Sequence, residues 1–217
     1  MTKEIHIDIL RPFGPRILKA TVPDIMMNAL NGQCDKLLEN NEEREKRDAS
    51  HDLVGHVHEE LTCVMEETEG FGNLLFSLTK ALYVSFLAER NMSEKEKEDA
   101  GRLAIHNSWF VRSFENDYNP THIHTNGSFS CVLYLKVPEG ISDKNSKNVN
   151  EKYATEGYID FVYGSSSIVT PGNMCIQPKV GELFIFPSHL FHAVYPFYGE
   201  GERRSFSANM SLQKDEE

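Results

Sequence analysis

The sequence predicts an α+β fold, a jelly-roll type β-barrel in its second half backed by a helical layer from its first. Three observations carry this. From residue 102 onward, short apolar runs follow one another across Gly, Pro and Asn turns: L-A-I-H-N-S-W-F-V-R-S-F, C-V-L-Y-L-K-V, Y-I-D-F-V-Y, E-L-F-I-F-P and R-S-F-S-A-N-M-S-L. Between Pro23 and about residue 100 the apolar period is helical instead. The length, 217 residues with 40% hydrophobic side chains, suits one large domain with a substantial core. We therefore expect a single domain over 1–217, with 1–100 mainly helical support and 101–212 the jelly-roll core.

Taken in order, Ile5, Ile7 and Ile9 alternate with His6 and Asp8, which is strand periodicity, and Ile17 to Val22 reads as a second extended piece. Pro23-Asp24 then opens a helix whose apolar stripe is Ile25, Met26, Ala29, Leu30, Cys34, Leu37 and Leu38. Residues 39–50 are nearly all polar or charged and read as a solvated loop or helix end. Glu59 to Glu67 reads as a helix. Phe71 to Leu87 is an amphipathic helix, with Leu74, Leu75, Leu78 and Leu82 on its apolar face. Ser93 with Glu96 has the spacing of a capping box at the head of a short helix. The polar stretch 138–156 is expected to be a long loop, and its length suggests a lid.

The formal net charge is -11, which argues against a nucleic-acid backbone or an anionic membrane as the main partner. No apolar run approaches membrane-span length, and the N-terminus lacks a signal peptide's apolar core. Four scattered cysteines without a C-x-x-C pair suit reduced thiols. The expected location is cytoplasmic. The helical half could supply a homodimer face.

The chemistry centres on Asn119 to Leu135, N-P-T-H-I-H-T-N-G-S-F-S-C-V-L-Y-L. In an extended segment His122 and His124 point to the same side. Two imidazoles at a strand end present a pair of metal ligands, and three protein ligands leave positions open for chemistry. A third comes best from G-E-L-F-I-F-P-S-H-L-F-H-A-V, where His189 and His192 follow another apolar strand. The set favoured is His122, His124 and His192. Without a metal, the pair would simply be turn residues after Asn119-Pro120. His56 and His58 copy the H-x-H spacing, but a helix starting beside them would turn the rings apart, so the downstream pair is preferred to them as metal ligands.

The last strand adds an anchor. Arg203, Ser205, Ser207 and Asn209 share one face, and Arg204, Phe206, Ala208 and Met210 the other. If the first face lines the barrel, a buried guanidinium needs an anion, and its planar fork suits a carboxylate. In the opposite register Arg203 lies in solvent and Arg204 pairs with a surface acid. Periodicity leaves both open.

At these residues the chain resembles the 2-oxoglutarate- and Fe(II)-dependent oxygenases, in their prolyl-hydroxylase-like branch. It is most similar to the short oxygenases of bacteria and tailed phages, whose location would be the host cytoplasm. The likeness covers about residues 107–210. It rests on N-P-T-H-I-H, on S-C-V-L-Y-L-K-V-P, on Gly181 to Phe197, and on Glu202 to Asn209.

It implies a double-stranded β-helix, with His122 as first iron ligand and His192 as distal histidine. Arg203 and Ser205 would bind the far carboxylate of 2-oxoglutarate, with Tyr134 donating to the same group. Fe(II), 2-oxoglutarate and O2 would be consumed in hydroxylating a small molecule or a peptide, with peptidyl proline one candidate, leaving succinate and CO2. The position usually held by Asp or Glu is His124, with Asn126 and Asp117 as remoter substitutes. Trp109 reads first as a core aromatic and second as a substrate contact.

Two other readings stand beside this one. A cupin-type metal enzyme without 2-oxoglutarate fits the H-x-H spacing. It would want a Glu where Ser128 and Phe129 stand, and it has no use for Arg203-x-Ser205. A non-catalytic barrel would use the histidines only to brace a turn.

Overall fold

The computed structural model describes residues 5–10, 14–50, 55–65, 68, 70–88, 102–142, 155–168 and 171–213. Strands β1 (Ile7–Leu10) and β2 (Ile17–Thr21) form an antiparallel pair, followed by α1 (Asp24–Glu39) and α2 (Asn41–Arg47). Strand β3 (Glu59–Thr62) and helix α3 (Phe71–Ala88) complete the first part. The second part contains β4 (Arg102–Ser113), β5 (Asn119–His122), β6 (Phe129–Lys136), the short α4 (Glu139–Ser142), β7 (Ile159–Val162) and β8 (Asn173–Ile176). It ends with β9 (Glu182–Pro187), β10 (Phe191–Val194) and β11 (Arg203–Gln213). These strands form two sheets, one in the order β1-β2-β9-β6-β11-β4-β3 and one in the order β5-β10-β7-β8. Every named strand pair is antiparallel. Two antiparallel layers with sequence-distant neighbours are the jelly-roll, or double-stranded β-helix, arrangement.

The large sheet is apolar on both faces, and alternation along each strand divides them. On β6, Cys131, Leu133 and Leu135 face the helices and Val132 and Tyr134 the small sheet. On β11, Phe206, Ala208 and Met210 join the helix side. Helices α1 and α3 cover that side with Leu30, Cys34, Leu75 and Leu82, each fully buried. Burying a leucine of this kind contributes about 2 kcal/mol. The inter-sheet core is Ile17, Ile159, Phe161, Phe184, Phe186 and Leu190.

The first part departs from expectation in three places. Glu59–Thr62 is the edge strand β3 rather than the start of a helix, pairing with β4 so that Leu61 lies opposite Phe110. Its burial alternates, Glu59 and Leu61 inward on one face and Glu60 and Thr62 on the other. The sheet edge wins over local helix propensity because it buries Leu61 completely. Secondly, the charged run 39–50 contains a real helix, α2. Asn40 caps it by accepting from Glu43 N–H at 3.2 Å, and Lys46 bridges to Glu42 and Glu43. Thirdly, the buried stripe of α1 is Met27, Leu30, Gln33 and Cys34, while Ile25 is exposed. The short helix expected at Ser93, and residues 143–154 of the expected lid, lie outside the described residues. No helix among the described residues is long and apolar enough to cross a membrane.

Candidate metal centre

Strand pairing assembles the histidines. In the β5–β10 pair His192 lies directly opposite His122. The turn after β5 carries His124, whose backbone N–H donates to Ser188 O at 2.9 Å, and Ser188 N–H donates to Ser128 O at 3.0 Å. The metal turn is thus strapped to the turn between β9 and β10. Gly127 makes that strap fit: it has φ 119°, and a Cβ there would meet Met210 O at 2.8 Å.

The ligand nitrogens of His122, His124 and His192 all lie within 4.8 Å of one another. Ring centroids are 4.2 Å apart for His122–His192, 5.1 Å for His124–His192 and 5.3 Å for His122–His124. His122 Nδ1 donates to Pro120 O at 2.7 Å, and His192 Nδ1 donates to Leu190 O at 2.9 Å. A carbonyl only accepts, so both protons sit on Nδ1 and both Nε2 lone pairs are free to ligate. Burial keeps the rings neutral. It pulls His192 down to about 3, helped by the neighbouring His122, and His124 down to about 4, and it lowers His122 as well. Three neutral imidazoles turned to one point are a donor set for a first-row divalent ion.

Beneath them the space between the sheets is lined by Trp109, Val111 and Ser113 of β4, Tyr134 of β6, and Arg203, Ser205 and Ser207 of β11. Arg203 is 5% exposed. Its Nη1 donates to Gly157 O at 3.1 Å and Tyr195 O at 3.2 Å, and its guanidinium sits over the Phe197 ring at 5.4 Å. No carboxylate pairs with it among the described residues. Burial lowers its pKa to about 10, so it stays charged at neutral pH. Tyr134 faces Ser205 across the β6–β11 pair, and its Oη is buried with no hydrogen-bond partner. A cation without its anion and a phenol without an acceptor, in one cavity, fit a ligand carboxylate.

Arg204 does not sit at the surface either. It is fully buried on the helix side, held by Glu202 at 2.9 and 3.1 Å and Asp35 at 2.7 Å. Arg112 donates to the same Glu202 at 2.7 Å.

All six sequence-derived residues, His122, His124, His192, Arg203, Ser205 and Tyr134, therefore line one cavity. The other candidate ligands do not. His189 and Asn126 are exposed. Asp117 is buried, but it accepts from the backbone N–H groups of His58 and Phe114. His56 is exposed beside Asp117. Trp109 is a cavity wall, its ring 5.9 Å from that of His124, rather than an enclosed core aromatic. Glu60 was missed as a lining residue because its segment was read as a helix; the alternation of Glu59, Glu60, Leu61 and Thr62 was the available signal.

Residues 107–209 match the family model described as "Putative 2OG-Fe(II) oxygenase". No curated protein matches the chain by sequence. Among solved structures, the chain is similar to a Pseudomonas putida prolyl-4-hydroxylase, with 13% identity, 91% of this chain and 92% of that one covered, and a TM-score of 0.56. It is also similar to the non-heme alpha-ketoglutarate-dependent carbocyclase SnoK of nogalamycin biosynthesis, with 11% identity, 91% and 79% covered, and a TM-score of 0.55. HygX of Streptomyces hygroscopicus, solved with nickel, 2-oxoglutarate and hygromycin B, gives 9% identity, 93% and 84% covered, and a TM-score of 0.51. These likenesses show the shared double-stranded β-helix fold. That matched segment, residues 107–209, is the one that carries the three histidines, Tyr134 and Arg203.

Proposed function

We propose that His122, His124 and His192 hold Fe(II), and that Arg203, Ser205 and Tyr134 receive the far carboxylate of 2-oxoglutarate, in an enzyme that hydroxylates a small-molecule or peptide substrate. The observation that carries this is a buried arginine with no carboxylate partner among the described residues, in the cavity onto which three neutral imidazoles converge. Once bound, iron and 2-oxoglutarate supply an oxidation by O2 that releases succinate and CO2 and places one oxygen atom on a substrate C–H bond.

The chain's own groups do the holding. The Pro120 and Leu190 carbonyls fix the tautomers of His122 and His192. The Gly157 and Tyr195 carbonyls hold the Arg203 fork in place. Ile159 and Phe186 wall the cavity against bulk water, which strengthens the Arg203–carboxylate attraction. With His124 where relatives usually carry Asp or Glu, the ligand set is neutral and the site one unit more positive, favouring an anionic co-substrate. A cupin-type chemistry would leave Arg203 without a task.

This reading takes 1–217 as one domain, in a cytoplasmic protein of the bacterial and phage type, acting as a monomer or a homodimer. Peptidyl proline is its narrower substrate candidate. The test is an anaerobic titration of metal-free protein with Fe(II), then 2-oxoglutarate, following the visible charge-transfer band of a chelated keto acid. The band should form in wild type and be lost or weakened in His192→Ala and Arg203→Ala. Iron binding with no band at any co-substrate concentration would overturn the 2-oxoglutarate assignment.

A further inference from the structure

The large sheet has two edges, and the chain treats them differently. At the β3 edge the segment before it closes the strand. Ala49 N–H donates to Glu60 O at 2.9 Å, Ser50 Oγ accepts from Glu60 N–H at 2.9 Å, and Asp48 bridges to Leu61. At the other edge β1 pairs with β2 alone among the described residues. Its outward side is a template for another strand. Thr21 N–H donates to His6 O at 3.3 Å, so His6 and Asp8 turn their backbone groups towards β2. By alternation, the N–H and C=O groups of Ile5, Ile7 and Ile9 point away from the sheet.

Sheet edges in monomers are commonly guarded by a Pro, a Lys or a bulge. Residues 5–10, I-H-I-D-I-L, contain neither Pro nor Lys, and the β1–β2 register runs without a bulge. The side chains divide by face. Ile7 and Ile9 stand opposite Ala20 and Leu18, which are buried under the helices. Yet Ile5, Ile7 and Ile9 are themselves 38, 42 and 43% exposed. His6 and Asp8 lie on the reverse face, with Nε2 and Oδ1 3.2 Å apart. The segment is self-complementary about Ile7. Laid antiparallel against its own copy, with Ile7 on the two-fold axis, it sets Ile5 opposite Ile9 and His6 opposite Asp8. Apolar pairs then form on one face, and on the other an imidazole donor meets a carboxylate. The outward-pointing backbone groups of Ile5, Ile7 and Ile9 bond in that same register.

We infer that β1 is a homodimer edge, through which two copies join their large sheets by antiparallel β1–β1 pairing centred on Ile7. The partner is a second copy because a two-fold interface needs a surface that complements itself, and I-H-I-D-I does so in both charge and shape. The exposed isoleucines of each copy are then covered by those of the other. The two seven-stranded sheets become one continuous sheet. The inference does not depend on what the metal centre binds.

Sedimentation equilibrium of the full chain tests it, at protein concentrations up to about 200 μM, where even an interface of modest area is populated. The wild type should show a monomer–dimer equilibrium. Ile7→Lys puts like charges on the axis and should weaken the dimer about tenfold or more. His6→Asp should weaken it similarly, by setting acid against acid. Combining His6→Asp with Asp8→His restores the opposite pairing, and should return the dimer constant to within about threefold of wild type. These side chains are exposed, so circular dichroism and Tm should not move. Should one variant fail to fold, the wild type and the other variants still decide. A monomer at every concentration overturns the inference. So does a dimer that Ile7→Lys and His6→Asp leave unchanged, which would put the contact elsewhere on the chain.

Discussion

Arg203 and Arg204 are neighbours in sequence, both are buried, and they point to opposite faces of β11. Arg204 is neutralised by Glu202 and Asp35, whereas Arg203 has two backbone carbonyls and, among the described residues, no carboxylate. One arginine is paired within the fold, and the other is the one proposed to take a ligand carboxylate.

The two should therefore separate by experiment. If Arg203 holds the far carboxylate of 2-oxoglutarate as proposed, replacing it by Ala should remove charge-assisted bonds that contribute about 3 kcal/mol, roughly a hundredfold in Kd. Its effect on Tm should be small. Arg204→Ala leaves Glu202 short of its bidentate partner and should cost about 3 kcal/mol of stability. Calorimetric titration of the Ni(II)-loaded protein with 2-oxoglutarate, beside denaturant unfolding, distinguishes them. A large stability loss in Arg203→Ala with unchanged co-substrate affinity would reverse the assignment.

Tyr134→Phe should split in the same manner. Its hydroxyl is buried without a partner, so removing it should leave the unliganded protein as stable or slightly more so. The 2-oxoglutarate affinity should fall by about tenfold, the usual worth of one hydrogen bond. Thermal unfolding with and without co-substrate reads both effects, and a clear loss of stability in the free protein would count against the assigned role.

The pH response follows from the depressed imidazoles. With His192 near 3 and His124 near 4, both below the ordinary 6.5, the folded state resists protonation more than the unfolded chain does. Their contribution to metal-free stability is whole above pH 6.5 and is lost as pH falls towards 3. Protons also compete weakly for the metal. Three unperturbed imidazoles would lose about a thousandfold in metal affinity by pH 5.5. This site should lose about tenfold or less between pH 7.5 and 5.5, measured by Zn(II) competition at constant ionic strength.

Gly127→Ala should damage the site from outside it. The residue sits at φ 119°, and its Cβ would press on Met210 O. A cost on the order of 2 kcal/mol is expected from the backbone conformation alone. Because the same turn carries His124, Zn(II) affinity should fall together with Tm. A stable variant with full metal affinity would show that the turn is not the constraint.

The second half was the legible half. β4, β6, β9 and β11 stand out in the sequence as apolar or alternating extended runs, and pairing then decided which residues face which layer. Helices α1 and α3 were legible through their helical period, although Ile25, counted on the stripe of α1, is exposed because that stripe is rotated towards Met27 and Gln33. β3 was not legible. Four residues are too few to set a period against helix-forming Glu and Leu, and only the open edge of β4 decides the matter.

Local chemistry in the sequence determined that His122 and His124 act as a pair and that Arg203 and Arg204 face opposite ways. The second follows from a strand's two-residue repeat, and the first from the close spacing of the two rings at a strand end, neither of which needs knowledge of neighbours. Only the tertiary structure decided that the favoured His192 does meet His122 and His124 at one point, and that Arg203 rather than Arg204 is the arginine with no carboxylate partner among the described residues. These depend on register between segments far apart in the chain, β5 against β10 and β6 against β11. A shift of one residue in the β6–β11 pairing would have turned Arg204 inward in place of Arg203.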